Sequence, residues 1–259
     1  MSLDGPRLDH VVVVVGPLAD AVAVFTSAGF TVTPGGRHDA LPTENALVCF
    51  ADGTYLELLA TRESATRAEL RSLRGSAGWE RHLKGVSAVA RRLLPSLAGP
   101  DGVADWAFCG EPLPRRAAAL RSVGVRAAGP VRMSRERPDG ERLEWELLLP
   151  ETPLHPFWIA DRTPRERRVP GDTRATTHAN GARGIAAVRV RAPSVPAAAL
   201  ELGDALGLLP RVEAGVTVLA WPGGRIEMLE GEPVGACGVA VEHCAPVPAA
   251  VPALGIFTA

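Results

Sequence analysis

Lysine is nearly missing from this chain: Lys84 is the only one in 259 residues. The remaining basic residues are arginine, and beside abundant Ala, Gly and Pro this reads as genomic composition bias rather than as an arginine-driven function. A net charge of -1 gives no global attraction to nucleic acid or to an anionic membrane. Cysteine is scarce as well. Cys49, Cys109, Cys237 and Cys244 are widely spaced, with only the last two near each other, and no Cys-x-x-Cys occurs. Reduced, mostly core-packed thiols in a cytoplasmic protein are expected. The segment Met1 to Pro6 lacks the basic stretch and apolar run of a signal peptide, and the valine run Val11 to Val15 is far too short to span a membrane. Gly-x-Ser-x-Gly, Walker and dinucleotide glycine patterns and His-Glu-x-x-His are all absent, which argues against nucleophile-elbow hydrolases, nucleotide folds and that class of zinc enzyme.

What is present starts with two polar residues in apolar surroundings. His10 precedes the Val11 to Val15 run, and Glu57 sits in Tyr55-Leu56-Glu57-Leu58-Leu59. Both segments read as buried strands, where a lone imidazole or carboxylate is costly unless something pairs with it. Brought together, they could bind a divalent metal or relay a proton. The plainer alternative is a hydrogen-bonded core histidine, with Glu57 paired to it or to an arginine.

At 46% apolar and 22% charged, the chain can bury one large core or two medium ones. Residues 8–15 read as a strand, 18–28 as a helix stopped by Gly29, and 30–33 as a short strand. Pro34-Gly35-Gly36-Arg37-His38 opens a loop to about Glu44. Strands over 45–51 and 54–60 flank a tight turn at Asp52-Gly53. Residues 62–100 form a charged helical connector. A second unit with the same element order covers 104–161, with a turn at Pro138-Asp139-Gly140 and a closing strand at Pro156 to Ala160. The Pro/Gly-punctuated stretch 162–182 reads as a linker. A third, partial unit spans 183–244, and 245–259 reads as an irregular tail.

Units one and three align. His10 to Gly29 spans 19 positions and Ala187 to Gly207 spans 20, and Leu56-Glu57-Leu58-Leu59 matches Ile226-Glu227-Met228-Leu229. A repeat of about 50 residues indicates a duplicated unit that covers its apolar face with a sister. The tight hairpins favour antiparallel neighbours, hence an α+β fold of repeated βαβββ-like modules. An unpaired half-module would leave a sheet edge and an apolar face open, so unit three is expected to pack on the first two or to make a homodimer contact.

Leu8-Asp9-His10-Val11-Val12-Val13, Gly35-Gly36-Arg37-His38, Thr43-Glu44-Asn45 and Tyr55-Leu56-Glu57-Leu58, followed by Arg135 to Gly140, Leu143-Glu144-Trp145 and Pro156-Phe157-Trp158-Ile159, together resemble the glyoxalase-like branch of the vicinal oxygen chelate superfamily. The resemblance covers about residues 7–160, with 178–230 as an extra partial unit. It implies repeated βαβββ modules forming a curved mixed sheet around a pocket, each of two modules giving a first-strand and a fourth-strand residue to one divalent metal ion. His10 and Glu57 match those positions in unit one. Unit two offers Phe157, Ile159 or Asp161 on its closing strand, and unit three has Ala187 and keeps Glu227. The implied function is small-molecule binding, with metal-assisted lyase or isomerase chemistry on a small oxygenated metabolite. The alternative is sequestration of a bulky ligand without chemistry, as in bleomycin-resistance relatives. Glu57 and His10 are the catalytic and metal-binding candidates. His38, Asn45, Arg135, Trp145 and Trp158 are the substrate-binding candidates, the arginine as an anion clamp and the tryptophans as cavity wall or plain core.

Overall fold

The computed structural model describes residues 6–242, 245–246 and 248–259. The first unit runs β1 (Arg7–Val14), α1 (Leu18–Ser27), β2 (Thr33–His38), β3 (Thr43–Cys49) and β4 (Tyr55–Thr61). Helices α2 (Ser64–Arg74), α3 (Trp79–Gly85) and α4 (Ala88–Leu97) follow. The second unit repeats the order with β5 (Gly102–Cys109), α5 (Leu113–Ser122), β6 (Ala127–Glu136), β7 (Arg142–Pro150) and β8 (Phe157–Asp161). In each unit the first strand lies parallel to the fourth (β1 with β4, β5 with β8), while the hairpins run antiparallel. The two units join along β1–β5 and β2–β6, so the eight strands close into a barrel in the order β1-β4-β3-β2-β6-β7-β8-β5. This is an α+β fold of repeated modules with the mixed sheet curled around a cavity.

Two short helices, α6 (Arg165–Arg168) and α7 (Thr173–Thr176), lead to the third unit: β9 (Gly184–Ala192), α8 (Val195–Leu206), β10 (Arg211–Glu213), β11 (Val216–Trp221), β12 (Gly224–Glu230) and β13 (Gly235–Glu242). The stretch expected to be an irregular tail supplies one more strand, β14 (Ile256–Thr258), parallel to β13. Buried Val251 and Ile256 draw it into the core despite its proline content. Cys244 and His243 lie outside the described residues. The second sheet has the order β10-β11-β12-β9-β13-β14, and its β9–β13 pairing has register shifts at the positions corresponding to those of β1–β5.

Side-chain parity decides what each strand offers the barrel. Along β1, Val11 and Val13 pack outward against Val188, Ile226 and Val239 of the second sheet, while Val12 and Val14 face the barrel interior. Two apolar cores result, one between barrel and second sheet, the other inside the barrel under α4, whose Val89 and Leu94 cover one end. Such alternation is the pleat of a strand buried on both faces.

The expected strand at 30–33 starts later, at Thr33, and continues through Pro34-Gly35-Gly36 to His38, where a loop was expected. The reason is close approach. A Cβ on Gly36 would lie 2.1 Å from the main-chain oxygen of Glu136 across the β2–β6 seam, and the backbone there has φ +144. Only glycine lets the seam close.

Candidate active site

A bulge builds the site. Between Leu8 and His10 the β1–β5 register shifts, so Asp9 is an extra residue opposite Ala107. Neighbouring side chains that would point to opposite faces of a regular strand now meet. Nδ1 of His10 lies 2.8 Å from Oδ1 of Asp9, and both residues are buried. An ionised carboxylate only accepts, so Asp9 fixes the proton on Nδ1 and leaves Nε2 to face Oε2 of Glu57 at 3.5 Å. The ring is held by stacking on Tyr55, with centroids 4.6 Å apart, and by the edge of Phe157.

Glu57 is the centre of the cluster. Asn45 donates from Nδ2 to its Oε1 at 2.5 Å, and Nε2 of His38 faces the same oxygen at 3.7 Å. Asn45 in turn accepts at Oδ1 from Nη1 of Arg135 at 2.9 Å, which fixes the carboxamide orientation. His38 ends β2, buried in the wall rather than in the expected loop; its Nδ1 meets Oγ1 of Thr43 at 3.0 Å.

Burial opposes charge on every member of this group, and neighbours decide the outcome. For Glu57 the desolvation penalty is overcome by the His10 hydrogen bond and charge, then by His38 and Asn45, and its carboxyl is held down at about 2. Desolvation also works against the His10 imidazolium, but Asp9 and Glu57 on either side outweigh it and raise its pKa above the ordinary histidine value. His38 goes the other way: desolvation lowers its pKa, and the pull of Glu57 does not offset it. Asp9, desolvated but set against Arg168, His10 and Arg165, falls well below the ordinary carboxylate range.

The structure therefore brings together His10, Glu57, His38, Asn45 and Arg135 around one cavity of about 70 Å3, with Trp145 in its wall, edge-on to His38. Trp158 is not among them. On β8, Phe157 and Ile159 face the interior and Trp158 points outward, stacked under the Arg116 guanidinium at 4.0 Å and edge-on to Phe108. Strand parity, not hydrophobicity, corrects that expectation.

Sequence reasoning missed two groups. Asp9 stood next to His10, but the bulge that turns it inward leaves no mark in the residue pattern. Arg168 belongs to the stretch expected to be a linker. It is buried, donates to Asp161 and to the Tyr55 hydroxyl at 2.6 Å, and bonds Asp9 at 3.3 Å from both terminal nitrogens. Arg165 donates to Asp9 as well. One arginine in a run of them carries no local signal that it will be buried.

The divalent metal implied by the resemblance does not fit this donor set. Nδ1 of His10 is committed to Asp9, one oxygen of Glu57 is committed to Asn45, the β8 positions are Phe157 and Ile159, and the Arg135 and Arg168 side chains line the same cavity. Among the described residues no group of three or more His, Cys, Asp or Glu is arranged to hold a metal ion, whereas catalytic zinc sites normally present three protein ligands.

The profile of the glyoxalase-like domain family matches residues 8–206. The chain belongs to that family, within the vicinal oxygen chelate superfamily. Among solved structures it is similar to a hypothetical protein from Staphylococcus aureus, with TM-score 0.70 and 16% identity over 92% of this chain and 91% of that one. It is also similar to a xylose isomerase-like TIM barrel/4-hydroxyphenylpyruvate dioxygenase fusion protein, with TM-score 0.52 and 12% identity over 92% of this chain and 36% of that one. A Mn(II)-bound glyoxalase from Novosphingobium aromaticivorans gives TM-score 0.48 and 13% identity over 91% of this chain and 65% of that one. No curated protein matches.

Proposed function

We propose that the barrel cavity binds a small oxygenated metabolite and catalyses proton transfer beside its carbonyl group, as a lyase or isomerase step. The observation that carries this reading is the pair of buried imidazoles facing one carboxylate, His10 at 3.5 Å and His38 at 3.7 Å from Glu57, with protonation preferences pushed apart. Titratable neighbours driven in opposite directions divide into acid and base. His10, protonated against Asp9, is the proton donor. His38, neutral in its desolvated position, is the acceptor. Glu57 stays ionised, orients the His10 ring and balances the imidazolium. Its low pKa makes it a weak base, so its part is electrostatic rather than proton abstraction. No metal enters the step.

A cavity of about 70 Å3 supports a small metabolite over a bulky sequestered ligand. Cys49, Cys109 and Cys237 are free thiols, with burial pushing the first two up to about 12, which agrees with the cytoplasm as the site of action.

Solvent deuterium incorporation into a panel of small carbonyl compounds, followed by proton NMR, tests the reading. The wild type should exchange at least one compound, and His38→Gln and His10→Asn should each slow it by about a hundredfold or more. Exchange at wild-type rates in both variants would refute it.

A further inference from the structure

Nearly every buried charge around the cavity has an opposite charge in contact. Arg168 and Arg165 share Asp9 and Asp161, Glu57 faces His10, and Arg92 grips Asp105 with two bonds of 2.6 and 2.7 Å. Arg135 differs. It is 3% exposed, and its hydrogen-bond partners are both neutral: Oδ1 of Asn45, and the main-chain oxygen of Arg168 at 2.8 Å. Among the described residues its Nε has no hydrogen-bond partner. Glu57 attracts it through space, but the hydrogen-bonded link between them runs through Asn45. A guanidinium buried with no opposite charge in contact and with an idle donor is expensive, and a ligand that supplies both the charge and the acceptor recovers that cost.

The cavity beside it is apolar. Val12, Leu59, Met133, Leu147, Phe157 and Ile159 supply most of the rest of its wall. A second full charge has no unpaired partner there, because Arg92 and Asp105, also in the wall, are already closed on each other.

We propose that the ligand is a small monocarboxylate with a short aliphatic body, its carboxylate held by Arg135 and its body in the apolar lobe. This rests on the reading that the cavity is a metabolite site, but it does not require the proton-transfer step. The head would receive the Nε–H of Arg135 and the guanidinium protons left over from Asn45 and Arg168, the planar geometry in which arginine prefers carboxylates. A dicarboxylate or a phosphate ester would bring a second charge into the aliphatic lobe and is disfavoured.

Isovalerate and isovaleramide, nearly equal in shape and different in charge, are the probes. Titration calorimetry on the full chain should give isovalerate an affinity about tenfold or more above the amide, and Arg135→Gln should abolish the difference. Methyl contacts from isovalerate to Met133 and Leu147, seen by NMR in the wild type, locate the body without relying on the variant. Equal affinity for the two probes would overturn the carboxylate inference while leaving proton transfer standing, and no detectable binding of either would also overturn it. Carboxylate selectivity without deuterium exchange on any panel compound would retain this inference and reject the proposed catalysis.

Discussion

Gly35 packs against Asn45 so closely that a Cβ on Gly35 would stand 2.0 Å from the carboxamide Oδ1. That oxygen accepts a hydrogen bond from Nη1 of Arg135, and the carboxamide nitrogen donates one to Glu57. Gly35 therefore acts as a positioning residue, through space rather than through backbone freedom. Gly35→Ala should cost about 1–3 kcal/mol of stability by overpacking and should weaken isovalerate binding. Gly53 makes a suitable comparison. It has φ +85 with nothing within 4 Å of an added Cβ, so Gly53→Ala should cost about 1 kcal/mol through strain alone and leave binding unchanged. Urea denaturation with calorimetry on both variants makes the check.

Acid should unfold the protein through identifiable groups. Glu57 is held at about 2 instead of its ordinary 4.5. A depressed carboxyl stabilises the fold above its unfolded value and loses that contribution as pH falls through the folded one. Ionised Glu57 is thus worth roughly 3 kcal/mol at neutral pH, fading between 4.5 and about 2. Asp9 adds to the same loss below its ordinary 3.8. His38, His155 and His178, all lowered, begin to cost stability once pH drops below 6.5, because the unfolded chain takes up protons first. His10 runs opposite, contributing fully below 6.5 and fading as pH rises through its higher folded value. Glu57→Gln should be destabilised near pH 7, and the gap to wild type should close as pH falls from 4.5 toward 2 in denaturation curves. A gap independent of pH would contradict this account.

Arg168 ties the chain beyond the barrel to the site. Removing it leaves the buried Asp9 with Arg165 as its one remaining arginine, and Asp161 with only Arg165 at 3.9 Å. Arg168→Met should cost about 3–5 kcal/mol, since breaking a buried pair leaves an uncompensated charge. Arg168→Lys should recover part of that, as it keeps the charge but loses the fork. In thermal denaturation Arg167→Met, on an exposed neighbour bonded to Glu141, should stay within about 0.5 kcal/mol of wild type.

How far this molecule could be read from its residues depends on the kind of signal each feature leaves. The β1 valine run, the Asp52-Gly53 turn and the repeated Glu57 and Glu227 strands are local patterns with a fixed period, and the corresponding elements are all found in the structure. Pairing His10 with Glu57 followed from two polar groups sharing apolar strands. Trp158 was misjudged because neighbouring residues on β8 look equally apolar and only register decides which faces the cavity. Asp9 depended on a bulge, and Arg168 on a contact 159 positions along the chain. Neither produces periodicity. Gly35 and Gly36 read as loop signals because their role, close approach between strands, is set by partners far away in sequence.

The central claim is that His10 and His38, on either side of Glu57, hold protons with opposite preference. Nitrogen-15 NMR titration of the imidazoles tests it most directly. His10 should titrate above 6.5 and His38 below it, and Glu57→Gln should bring His10 down toward the ordinary value. Two rings titrating together near 6.5, or in the reverse order, would contradict the account.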